Sequence, residues 1–107
     1  MTGTVPSPGD ALHPRGRALW DSVLTAYELD PAESDLLLEV CRLVDHLERV
    51  HTAVLAEPLT SPGSTGQPVA SPLLAELRAG RRQLVELVAT LHIPVAAVVG
   101  VVARGVA

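Results

Sequence analysis

The chain has 107 residues and a net charge of −4, which is enough for one compact domain and too little for two. Its eight basic residues are all Arg, and the acidic balance argues against a protein that coats nucleic acid through a net basic surface. Trp20 and Tyr27 are the only aromatic residues and there is no Phe, so the expected core is Leu, Val and Ala. A thin aliphatic core of this size gains from burying area against copies of itself.

Residues 1–11 carry Pro6, Pro8 and Gly9 among small polar residues and read as a flexible N-terminal arm with no signal layout. The helical domain is expected over 12–94. A first helix is predicted from Pro14 to about Tyr27, with Pro14 at the first helical position. Leu12, Leu19, Trp20, Val23, Leu24 and Tyr27 recur at helical spacing and form its expected buried stripe, leaving Arg15, Arg17, Asp21 and Glu28 outside.

Asp30-Pro31-Ala32-Glu33 combines a capping residue, a Pro at the first position and a capping-box Glu. The second helix is predicted from there to about Ala56, stopped by Pro58. At roughly 38 Å it is the longest element. Leu37, Val40, Val44, Leu47, His51 and Val54 follow steps of three and four, and Leu36, Leu43 and Val50 widen the apolar face. A helix apolar on two flanks needs two covers. One is a neighbouring helix, and the candidate oligomer interface is therefore Leu36, Leu37, Val40, Leu43, Val44, Leu47, Val50 and Val54.

Pro58, Pro62, Gly63, Gly66 and Pro68 exclude a helix over 57–70. Ser71-Pro72 opens a third helix to about Leu91, with Leu74, Leu77, Leu84, Val88 and Leu91 as its stripe. Gly80 costs it about 1 kcal/mol relative to Ala. Residues 95–107 form an apolar C-terminal tail, too short to span a membrane. The expected fold class is all-α: a short N-terminal helix, then a long antiparallel helical hairpin, with room for a small β element in the 57–70 turn or the C-terminal tail.

No catalytic set emerges, so the expectation is a non-enzyme without cofactor or metal. His13, His46, His51 and His92 do not share a helix face at ligand spacing. Asp45 and His46 are adjacent and point apart. Glu33/Asp35 and Asp45/Glu48 read as solvated helix faces. Cys41 lies among apolar neighbours as an inert core thiol, and a lone cysteine fits a reducing compartment. Gly63-Ser64-Thr65-Gly66 lacks the Lys-Ser/Thr ending and the strand–helix setting of a phosphate loop. The arginines carry the remaining signal. Arg15 and Arg17 flank the start of helix one, and Arg78, Arg81 and Arg82 cluster on helix three, with Arg78 and Arg82 on one face. These five are the candidate DNA-binding residues, since weak phosphate contacts add when several subunits repeat them.

The blocks Gly16-Arg17-Ala18-Leu19-Trp20, Tyr27-Glu28-Leu29-Asp30, the long second helix, Gly63-Ser64-Thr65-Gly66-Gln67-Pro68, Ser71-Pro72 to Arg78 and Leu91-His92-Ile93-Pro94 stand in a specific order. Over Gly16 to Pro94 that order resembles the small subunit of tailed-phage terminases, as found in phages and prophages of high-GC Gram-positive bacteria. The resemblance implies a non-catalytic packaging subunit in the bacterial host cytoplasm. It would form a homo-oligomeric ring, recognise double-stranded phage DNA and recruit or regulate the large terminase subunit, with no membrane partner. It also implies scaffold roles for Trp20, Tyr27, Leu37, Val40, Val44, Leu74, Leu77, Leu84 and Leu91, and contact roles for Arg17, Arg78, Arg81 and Arg82. Gly63, Gly66 and Gln67 would shape the turn. The competing expectation is a small helical adaptor that acts as a dimer through protein contacts.

Overall fold

A computed structural model describes residues 7–57, 61–62, 68–69 and 71–93. The described fold is all-helical, with three α-helices: α1 (Pro14–Ala26), α2 (Pro31–Ala56) and α3 (Pro72–Thr90). Each has Pro in its first turn, where the missing N–H costs nothing. A two-residue antiparallel pairing sets Ser61 opposite Val69 and Pro62 opposite Pro68. The expectations for Gly63, Gly66, Gln67 and the 95–107 tail lie outside the described residues.

The helix starts are built in three different ways. At α2, the Asp30 side chain accepts from Glu33 N at 2.8 Å and Glu33 returns an acceptor to Asp30 N at 3.1 Å, which completes the capping box. At α3, Ser71 Oγ accepts from Leu73 N. At α1 the N-cap is His13, which makes no side-chain cap bond. Asp45, far along α2, supplies it: one carboxylate oxygen accepts from His13 N and the other from Gly16 N, each at 2.8 Å. Asp45 is 4% exposed, so it is no solvated helix face. A buried carboxylate is stable only where donors surround it, and the free N–H groups and positive end of α1 provide them.

That contact fixes where α1 sits. A Cβ on Gly16 would run into Asp45 and the Cys41 carbonyl, so only glycine lets the first turn of α1 lie against α2. Leu19, Trp20 and Val23 then meet Leu37, Val40, Cys41 and Val44 of α2, joined by Val88, Leu91 and Ile93 from the end of α3. The expected stripe of α1 is narrower than its periodicity suggested. Leu24 and Tyr27 are 40% and 39% exposed, because α1 ends at Ala26 and α2 covers only one side of it.

Residues 1–6 of the expected arm lie outside the described residues, and its last part is folded. Ser7–Ala11 is ordered: Pro8–Ala11 forms a 3-10 turn closed by a Ser7/Asp10 capping box, with Gly9 buried against the Trp20 indole.

A second apolar cluster holds α3 to α2. Leu47, Val50 and Leu77 form it, with Leu43, Val54, Leu73 and Leu84 half-buried around them. Leu47 lies over Gly80, where a Cβ would collide with it; this close approach accounts for a glycine inside a helix. Ser71 Oγ donates to Glu57 at the end of α2, and His46 Nε2 lies 2.9 Å from Glu76 Oε1.

Five of the residues expected at an oligomer interface, Leu37, Val40, Val44, Leu47 and Val50, are thus buried in the chain's own core. In this arrangement Leu37, Val40 and Val50 are spent on the fold, while Val44 and Leu47 keep an edge at the floor of a groove beside α3. Leu36, Leu43 and Val54 stay half-buried at its edge.

Candidate nucleic-acid interface

The arginines divide by what they already hold. Arg15, in the first turn of α1, is placed by the Asp45 contact beside Glu48, with Nη1 2.7 Å from Oε2 and only 18% of its side chain exposed. Arg17 reaches Asp10 at 3.1 Å, Asp21 at 3.3 Å and the Gly9 carbonyl at 3.4 Å. It ties the 3-10 turn to α1. Arg42 pairs with Glu39 one turn earlier on α2. Such exposed pairs are weak individually, but each must loosen before its guanidinium can meet a phosphate.

Arg49, Arg78, Arg81 and Arg82 are exposed and have no carboxylate within ion-pair distance among the described residues. Three of the four stand on α3, where Arg78 and Arg82 share the outward face at i, i+4 spacing. Glu76, the carboxylate nearest them in sequence, is turned toward His46. The outer side of α3 therefore carries Arg78 and Arg82, with Glu86 one turn beyond Arg82, and none of the three is in an ion pair among the described residues.

Arg81 lies a step round the helix. It lines a groove of about 290 Å³ between α2 and α3, floored by Val44, Leu47, Leu77 and Leu84 and bordered by Arg15, Glu48 and His51. The buried Nδ1 of His51 has no hydrogen-bond partner among the described residues.

The five arginines singled out from sequence thus separate into two sets. Arg15 and Arg17 act within the fold, and Arg78, Arg81 and Arg82 remain available. Sequence reasoning missed Asp45 because its partners lie 29 and 32 residues away; local spacing carries no sign of that contact. It also passed over Arg49, which lies on α2 beside a shallow depression shared with His13, Arg15 and Glu48.

Cys41 is fully buried, and desolvation, followed by the nearby Asp45 and Asp21 carboxylates, pushes its thiol up to about 12. A thiol held in that state is a poor nucleophile at neutral pH. Among the described residues no cluster of three His, Cys, Asp or Glu side chains is arranged to hold a metal ion. No helix there is long and apolar enough to cross a membrane.

No protein-family model, curated protein or solved structure matches the chain.

Proposed function

We propose that the chain is a non-catalytic DNA-packaging subunit of the terminase small-subunit type. In this reading α2 and α3 form an antiparallel hairpin, copies assemble into a ring, and the ring presents viral double-stranded DNA to the large ATPase/nuclease subunit. The order of sequence blocks motivates it. The observation that carries it is the set of exposed arginines Arg78, Arg81 and Arg82 on one helix of an acidic chain, none of them in an ion pair among the described residues.

Phosphate binding by such residues displaces no ion pair among the described residues. Each neutralised phosphate releases counterions, so affinity falls with salt at a log–log slope of about −0.9 per contact. A subunit with two or three contacts binds weakly alone, and a ring that repeats them binds well.

The test is a salt titration of duplex DNA binding by fluorescence anisotropy. The Arg78→Ala/Arg81→Ala/Arg82→Ala variant should keep its helical fold while losing most affinity and flattening the slope. Arg17→Ala should change DNA affinity little, because that side chain is already engaged within the fold. Unchanged DNA binding by the triple variant would defeat the proposal.

A further inference from the structure

Two surfaces of the molecule are unfinished, and their chemistries match. The first is the edge at the end of α1. Leu24 and Tyr27, three residues apart, are both about two-fifths exposed. Glu28 follows them, exposed and with no partner among the described residues. The second is the groove over Val44, Leu47, Leu77 and Leu84 with Arg81 on its rim. At about 290 Å³ it falls just below the roughly 300–1,000 Å³ of sites that enclose a small molecule. It suits one or two inserted side chains better. Among the described residues Arg81 is a cation without a carboxylate, and Glu28 a carboxylate without a cation.

We propose that Leu24 and Tyr27 of one copy seat in this groove of a second copy, with Glu28 meeting Arg81 at the rim. Tyr brings a rigid apolar ring with a polar tip, the kind of side chain that anchors interfaces, and a guanidinium beside that ring adds cation–π attraction. The surfaces cannot satisfy each other within one chain. Tyr27 lies before the start of α2, whereas Glu48 borders the groove midway along it. The stretch from Pro31 to Glu48 spans roughly 26 Å at about 1.5 Å per residue. A contact between two different surfaces is head-to-tail and propagates, closing into a ring when the rotation between copies allows. The inference deepens the assembly half of the proposed function and rests on it. It also gives Arg81, which lines the groove, a role in assembly beside the phosphate contacts proposed for the set, whereas Arg78 and Arg82 on the outward face keep the phosphate role alone.

Cysteine cross-linking tests it directly. Cys41 is buried and its thiol is pushed up to about 12, so the native background is silent. A chain carrying Glu28→Cys and Arg81→Cys, both exposed positions, should form a ladder of covalent multimers with a bismaleimide cross-linker, whose spacer bridges positions that a Glu–Arg ion pair holds too far apart for a disulfide. Chains with either cysteine alone should give no ladder. Tyr27→Asp should reduce the native mass to that of the monomer without loss of helix content. An assembled wild type that yields no ladder, and that survives Tyr27→Asp, overturns this interface and leaves the DNA reading standing. A wild type that stays monomeric with and without DNA overturns both the interface and the ring.

Discussion

Asp45 shows how much one side chain can decide. Its two oxygens end the start of α1, hold that helix against α2, and so bring Arg15 beside Glu48. Removing the carboxylate would leave two buried or half-buried N–H groups without acceptors. Each such loss costs about 1–3 kcal/mol. Asp45→Ala should therefore lower the unfolding free energy by roughly 2–4 kcal/mol in urea, and Asp45→Asn, which keeps one acceptor oxygen, by about half as much. A loss below about 0.5 kcal/mol for Asp45→Ala would mean that the contact contributes nothing in solution. Cys41, one turn earlier on the same helix, makes a separate prediction. Its folded thiol titrates near 12, against about 9.0 when unfolded. The folded state keeps the proton that the unfolded chain gives up, so stability is full below pH 9 and declines as pH rises toward 12. Cys41→Ala should remove that alkaline decline while lowering stability modestly at neutral pH. A thiol reagent at pH 8 should label the native wild type far more slowly than the denatured chain.

The helices themselves were legible because their signals are local. Asp30-Pro31 with Glu33 and Ser71-Pro72 mark the starts of α2 and α3, and both helices begin at those prolines. Burial within the helices was only partly legible. Periodicity identifies an apolar face, and it cannot say how much of that face the neighbour covers. Leu24 and Tyr27 fit the stripe of α1 yet lie past the edge of α2. The same limit explains why α2 residues read as an interface are core, and why Asp45 and Gly16, ordinary in sequence, form a tertiary cap. At the other end of α3, Leu91 remains in the right-handed region, and His92 follows in the left-handed region at φ 57°, a position that glycine usually fills. His92 is exposed. His92→Gly should relieve the strain and raise thermal stability by up to about 1 kcal/mol, the left-handed penalty less the backbone entropy of glycine. A destabilised variant would indicate that the imidazole makes a contact of its own.

Across the whole molecule, the two apolar clusters are unequal, and this sets the order in which parts of the fold open. The first draws on α1, α2 and α3, and includes Leu19, Leu37, Val40, Cys41 and Val88, each under 2% exposed. The second draws on α2 and α3 alone, and its members Leu47, Val50 and Leu77 are 5–7% exposed. Two helices without a third cannot dry both sides of their seam, and Leu55 at the end of α2 is 72% exposed. Local opening follows such differences in burial. Native-state hydrogen exchange should therefore find the amides of 50–56 and 73–77 opening well below the global unfolding energy. Those of 37–44 should open only with global unfolding. Large-to-small substitutions should follow the same gradient. Leu37→Ala should cost about 3–5 kcal/mol and Leu77→Ala nearer 2–3, since the less enclosed site can collapse or admit water. If head-to-tail assembly covers the groove beside the second cluster, raising protein concentration should slow exchange at 73–77 and leave the first cluster unchanged. Uniform exchange along α2 at every concentration would contradict both the gradient and the covering.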